Sequence, residues 1–540
     1  MLFSRKNTIK LTSLNQLKKA FHYSSIACEK KITDVQSYAE EQENNFISRR
    51  RFAGNMAKAG ALVAATGFYN ACNPANKKTQ PSIAIVGAGI AGLHAAYLLK
   101  QAGFTAQLYE ASGRIGGRIF SVPEVMGRGL WTEMGGEFID TDHTDMLNLV
   151  KHFKLPTIDR KAPPELSLRE YAYYFNKTHY QLKDVMDALR PVTAQIKKDI
   201  ASLSPDITYT HHTGSDVALD NMTVMQYADK LGISGWFRSF IYNGYTAEYG
   251  MDANEQSALN FLELIAPNSN GEFSPYGNSD ERFSVVGGNE KICQALGSQL
   301  KEQLHTGYAL TAIKQNNSNR YILSFGTDNN KTEDIAADIV ILTLPFSVLR
   351  GVDIKVPLPA WKMNTINNLG YGSNSKIFVG LQQRVWRKQG YAGYTFTDNG
   401  LMNGYDSTQM QNNNEGAGVF TIAPGGKAGR DAGKDVNQLQ QSITQLEEIY
   451  PGAKAQFNGK LQYWNWPGYP FSKASYMSYK AGQYTTMEGT QLQPVDDLYF
   501  AGEHCSISSQ GFMNGGAETG RMAAELIIKK LKSAKSVQVE

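Results

Sequence analysis

An α/β fold built on a buried, Rossmann-like parallel sheet is predicted for this chain by three stretches. The first, Ser82 to Val86, is a short β-branched apolar run that leads straight into Gly87, Gly89 and Gly92 at G-x-G-x-x-G spacing. The residues after it keep helical apolar spacing through Leu93, Ala96, Leu98 and Leu99 to about Ala102. The second, Thr105 to Tyr109, reads as a strand that ends in Glu110, about twenty residues beyond the glycines. The third, Ala337 to Pro345 (ADIVILTLP), is an apolar run ending in a proline turn, as a strand covered on both faces requires.

Each element has a physical reason. Gly87 permits the tight turn, Gly89 lets backbone approach a pyrophosphate, and Gly92 lets the helix pack closely on the strand. Ala91 lies in that first helical turn, whose unpaired N–H groups and dipole favour an anion. Glu110 stands where a carboxylate accepts ribose hydroxyls, and an acid there disfavours a 2′-phosphate. Directly after it comes G-R-x-G-G-R, with Gly113, Arg114, Gly116, Gly117 and Arg118. Guanidinium forks match phosphate oxygens, so the two arginines are candidates to clamp a diphosphate. A basic surface loop is the plainer reading, and glycines beside the arginines favour close approach to a ligand over it.

Composition bounds the rest. A chain of 540 residues with 42% hydrophobic content buries a large core and is long enough for two or three domains. The net charge of +4 is uneven: residues 1–80 hold 13 Lys/Arg against 5 Asp/Glu, leaving 41 against 45 in the remainder. The basic excess therefore belongs to the leader, and nucleic acid is not an expected partner. Cys28, Cys72, Cys293 and Cys505 have neither disulfide-framework nor metal spacing, and no metal is expected. In the leader, Ser48-Arg49-Arg50-Arg51-Phe52 precedes an uncharged stretch from Ala59 to Ala71 and then Cys72. This pattern predicts twin-arginine export to a periplasmic or membrane-anchored location, with Cys72 a candidate lipid-attachment site. The stretch is too short and too weakly apolar for a stable spanning helix.

With its glycine and arginine motifs in order, the chain resembles the flavin amine oxidases, a family of monoamine, polyamine and L-amino-acid oxidases, from Pro81 to about Leu531. The resemblance implies a Rossmann-like FAD-binding domain built from discontinuous segments, with an α+β substrate domain inserted. The expected division is a leader at 1–80, FAD-binding segments at 81–145, 279–358 and 491–535, a helical substrate part at 146–278 and its sheet part at 359–490. Amphipathic spacing such as Met146, Leu149, Val150 and Phe153 supports the helical assignment. The Gly/Asn-rich stretch between Asn399 and Asp431 reads as surface loops.

Further residues are carried over one by one. In LWTEMGGEFID, Gly135, Gly136 and Glu137 match the segment that runs beside the flavin ring. Some L-amino-acid oxidases end this segment in an arginine that pairs with substrate carboxylate; here the position is Phe138. Leu310 matches the residue whose backbone meets adenine. Lys376, within LGYGSNSKIFVGL, matches the lysine that holds a water against flavin N5. An outward-facing edge lysine is the plainer reading, but a buried lysine needs a partner. Aligning Trp466 places Tyr476 at one wall of an aromatic cage and Phe512 at the other. Ser475 stands where monoamine oxidases carry the flavin-linking cysteine, so FAD is expected to be non-covalent. Gly502 and Glu503 match the turn over the ribityl chain, and Met513 opens a helix whose N-terminus points at flavin N1 and O2.

The reaction implied is hydride transfer from an amine-bearing carbon to flavin, giving an imine that hydrolyses to an oxo product and ammonia, with molecular oxygen reduced to peroxide. An L-amino acid leads as substrate, because SDERF before Gly287-Gly288 resembles bacterial L-amino-acid oxidases. A mono- or polyamine follows, strengthened by Phe138, and tryptophan 2-monooxygenase chemistry is a third outcome. A flavin-binding protein without turnover is the non-enzymatic alternative, and a homodimer is compatible with the resemblance.

Overall fold

The computed structural model describes residues 80–536 apart from 268–272, 275–278, 330 and 435. The arginine run at 49–51 and Cys72 lie outside the described residues. Among the described residues, no helix is long and apolar enough to cross a membrane.

A five-stranded parallel sheet forms the base, in the order Leu304–Thr306, Ala106–Glu110, Ile83–Val86, Ile339–Leu342, Leu498–Phe500. Its strands come from three well-separated parts of the chain. Every residue of Ile83–Val86 and Ile339–Leu342 is buried, which is why these strands read as continuous apolar runs rather than as an alternation. Helices Ile90–Gln101 and Met513–Ser536 pack on each other, and Ile85, Leu93, Ile341 and Ile527 share one core cluster.

The predicted strand Ala337–Pro345 is divided. Thr332–Ala337 belongs to a four-stranded sheet with Tyr321–Thr327, Tyr308–Gln315 and Asp353–Lys355, and only Ile339–Leu342 joins the parallel sheet. Asp338 marks the break. Its carboxylate accepts from the Ser82 amide at 2.8 Å and the Ser82 hydroxyl at 2.7 Å. A carboxylate inside an apolar run must find such donors, and finding them turns the chain.

A seven-stranded mixed sheet lies elsewhere in the chain, in the order Phe457–Asn465, Ser375–Leu381, Gly418–Ile422, Asn403–Asp406, Tyr391–Thr397, Arg169–Phe175, Thr178–Tyr180. Two expectations change here. The stretch 146–278 contains the helices Thr144–His152, Leu182–Ser202 and Gly235–Tyr249, but it also supplies two of these strands. REYAYYF is rich in aromatic residues that fill a pleated surface, and it pairs in parallel with Tyr391–Thr397. The stretch 399–431 is likewise more than surface loops, because Asn403–Asp406 and Gly418–Ile422 are fully buried strands within it. Its glycines serve packing: a Cβ at Gly404 would stand 2.5 Å from the Phe420 ring.

Candidate functional site

The glycine turn is closed by backbone, with the Gly87 amide donating to Tyr109 O at 2.8 Å. A Cβ at Gly92 would lie 2.0 Å from Gly87 O, so only glycine permits this approach of helix to turn. Gly89 bridges to Gly116, and a Cβ at Gly117 would stand 3.2 Å from the Gly89 Cα, so the two glycine-rich loops lie against each other. Ala91 is buried against the C-terminal helix, where its carbonyl stands 2.2 Å from the position a Cβ at Gly520 would take. The Glu110 carboxylate is held at the strand end by the Ala88 amide at 2.8 Å and the Ser112 amide at 2.9 Å.

The two arginines behave differently. Arg114 lies 4.3 Å from the centroid of the Phe120 ring and donates to the carbonyls of Ile115, Ile119 and Gly117. Its guanidinium braces its own loop, so a phosphate clamp is not the arrangement it adopts here. Arg118 reaches across the chain to Glu503 Oε1 at 2.8 Å and Ser475 O at 2.6 Å. Glu503 in turn accepts from the Gly511 amide at 2.9 Å, which positions the turn before helix Met513–Ser536. Gly502 donates to the Thr519 hydroxyl of that helix at 2.9 Å.

Gly135 and Gly136 are pressed from both sides. A Cβ at Gly135 would meet Arg118 O at 1.8 Å and the Trp466 ring at 3.0 Å; one at Gly136 would meet Met513 Cγ at 2.6 Å. Trp466 is fixed by its indole N–H donating to Met134 O at 2.9 Å.

Lys376 is half-buried in the strand Ser375–Leu381, where the protein supplies partners for its ammonium. Nζ donates to Glu133 O at 3.0 Å, Gly135 O at 2.8 Å and Glu137 Oε2 at 2.9 Å. An ammonium has three donors, and three acceptors meet them. A carboxylate and two carbonyls therefore surround Nζ. Glu137 Oε2 also accepts from the Tyr405 hydroxyl at 2.8 Å, while Oε1 is buried without a partner among the described residues.

Tyr476 donates its hydroxyl to Glu248 O, and its ring stands 3.6 Å from where a Cβ at Gly511 would be. Phe512 follows at once, with its ring 4.9 Å from that of His143. Leu310 is half-buried at a bulge in Tyr308–Gln315.

Acidic residues surround this region. Burial pushes Glu133 up to about 8, against the pull of the Ser121 hydroxyl and the Asn289 amide. Burial, aided by Glu281 and Asp140, pushes Glu248 up to about 8; Glu281, bonded to the Tyr394 hydroxyl, is pushed by burial to about 7. A carboxyl raised on folding binds more protons folded than unfolded, so its stabilising share is full below the unfolded value and lost as pH rises through the folded one. The thermal midpoint is accordingly expected to fall between pH 5 and pH 8. In Glu133→Gln that slope should be shallower, by up to about 1.4 kcal/mol per pH unit. An unchanged slope by differential scanning calorimetry would show that Glu133 is ionised throughout.

Tyr405, Tyr394, Glu248, Glu281 and Arg160 escaped sequence reading. Glu281 sits within SDERF, but no pattern marked its carboxyl or the other four side chains, and only the meeting of distant stretches brings them here. Pro-free, glycine-flanked NGYD gave no sign that Tyr405 would meet Glu137.

A glycine turn after a buried strand, a carboxylate closing the next strand and a lysine facing the double-glycine segment are the arrangement of a dinucleotide-binding oxidoreductase. Residues 90–528 match the family model for flavin containing amine oxidoreductase, and the chain belongs to that family. It is 23% identical over 459 residues to the putative L-amino-acid oxidase YobN of Bacillus subtilis, covering 82% of this chain and 94% of that protein. It is 24% identical over 467 residues to the probable flavin-containing monoamine oxidase A of Dictyostelium discoideum, covering 85% and 99%. The solved structure of cyclohexylamine oxidase from Brevibacterium oxydans superposes with a TM-score of 0.72 at 19% identity, covering 84% of this chain and 100% of that one. The family implies a flavin cofactor, and the cradle at Gly89, Gly117, Gly135 and Gly136, which any side chain would fill or distort, fits one.

Proposed function

We propose that the protein is an oxidase holding FAD non-covalently and acting on the amine-bearing carbon of an L-amino acid, with oxo acid, ammonia and hydrogen peroxide as products. The observation that carries the reading is the convergence of Lys376, Glu137, Gly135, Arg118, Glu503 and Met513 from separate stretches of the chain. Bound there, the flavin supplies the hydride acceptor and passes the electrons to oxygen. Glu503 and Arg118 hold the turn before the C-terminal helix, whose first amide groups would stabilise negative charge on a bound flavin. Lys376 keeps a positive charge beside the reacting atoms, balanced by Glu137. Tyr476, anchored through its hydroxyl, presents its ring to the amine and restricts the approach of the carbon. Ser475 offers no thiolate for covalent linkage. Export by the twin-arginine route belongs to the same proposal and rests on the leader sequence alone.

A second reading, a mono- or polyamine oxidase, is favoured by Glu248 and Glu281. Two carboxyls raised by burial ionise readily when an ammonium approaches, so they suit a substrate carrying extra positive charge. A peroxide assay over L-amino acids, D-amino acids and amines separates the two. Turnover of L-amino acids is expected; turnover of amines alone would replace the first reading with the second. Acid precipitation should leave the yellow colour in solution, and colour in the pellet would overturn non-covalent binding.

A further inference from the structure

We infer that Arg160 is a carboxylate-binding residue of this site, supplying the anchor for the acid group of the substrate; this rests on the oxidase reading above and extends it. Three short segments set its place. Phe283 pairs with Asp159 on one side and exchanges backbone hydrogen bonds with Ile139 on the other, at 2.8 and 2.9 Å. The Arg160 amide continues the ladder to Arg282 O at 2.8 Å. Arg160 is thereby delivered beside Phe138, and its guanidinium lies 4.6 Å from the centroid of that ring. Phe138 is half-buried and directly follows Glu137, the partner of Lys376.

The side chain is incompletely satisfied. Arg160 is 4% exposed, and its guanidinium hydrogen bond among the described residues is one from Nη2 to Asp406 O at 3.2 Å. Arginine has five N–H donors and keeps its charge at any ordinary pH. Among the described residues, no carboxylate oxygen lies within 4.0 Å of its guanidinium nitrogens. Glu137, Glu281 and Asp406 lie near enough to favour its charge, but charge balance at a distance leaves N–H donors unmet. A buried guanidinium with unmet donors is costly, and a bidentate carboxylate is the group whose geometry matches them. Phe138 holds the planar fork flat by cation–π stacking, which restricts the orientations such a carboxylate can take.

The test is isothermal titration calorimetry of the FAD-loaded protein with benzoate and with its neutral isostere benzamide, alongside amino-acid kinetics. Benzoate is expected to bind the unaltered protein more tightly than benzamide. In Arg160→Gln, benzoate affinity should fall about 100-fold and amino-acid KM rise in step, with kcat changing far less and benzamide affinity within about threefold. Arg160→Lys, which keeps the charge without the fork, guards against misfolding of the glutamine variant and should lose about tenfold for benzoate. Equal binding of benzoate and benzamide to the unaltered protein, or equal losses for both ligands in the variants, would overturn the assignment. If the unaltered protein oxidises amines alone, the L-amino-acid reading fails, while the benzoate measurements still decide Arg160 by themselves.

Discussion

Replacing Lys376 with methionine is expected to destabilise the protein by about 3–5 kcal/mol, because it leaves a buried carboxylate without its countercharge. Glu137 has a side-chain exposure of 4%, accepts from Lys376 and Tyr405 through one oxygen, and has no partner among the described residues on the other. Adding Glu137→Gln should recover much of that loss, since the double variant buries no unpaired charge. Stability alone would not show that the lysine matters to chemistry. Turnover in the double variant should therefore stay low, on the order of 10² below the unaltered protein, the usual scale for losing a group that stabilises charge at the reacting atoms. Melting temperatures and peroxide production on the unaltered protein and both variants check both halves. A Lys376→Met protein as stable as the original would mean that the ion pair does not form, and recovery of turnover with stability would assign Lys376 a purely structural role.

Gly135→Ala is expected to lower flavin loading sharply. The added methyl would lie 1.8 Å from Arg118 O, a distance no rotamer change relieves, because the obstacle is backbone. Arg118 must then move, and with it the 2.8 Å contact to Glu503 that ties the first glycine region to the last helix. Overpacking on this scale costs about 1–3 kcal/mol or more, which corresponds to about 5- to 150-fold weaker flavin binding. The neighbouring substitution Gly136→Ala is a graded control. It meets the Met513 side chain at 2.6 Å, and methionine has the rotatable bonds to yield. The ratio of flavin to protein absorbance after purification measures both. Full flavin content in Gly135→Ala would exclude this segment from the cofactor cradle.

How far the chain could be read in advance varied with the kind of feature. The turn at Gly87, the helix Ile90–Gln101, the acid at Glu110 and the helix from Met513 are local matters, and each stands as expected to within a residue or so. Glycine spacing, strand hydrophobicity and helix periodicity depend on neighbours a few positions away, so they survive in a one-dimensional text. The run Ala337–Pro345 was harder, because its division at Asp338 depends on Ser82, which lies 256 residues earlier. Arg114 and Arg118 look alike on paper and part company in space, one folded back on its loop and the other crossing to Glu503. Nothing local distinguishes them.

Fold class, the nucleotide-facing glycines and the flavin family were written in short-range patterns, since close backbone approach and buried strands constrain residue type directly. The partners of Lys376, the stacking of Arg160 on Phe138 and the gathering of Glu248 and Glu281 near Tyr476 were not. Each depends on strands from remote stretches meeting in one register, and the energy of a charge depends on what surrounds it rather than on what precedes it in the chain.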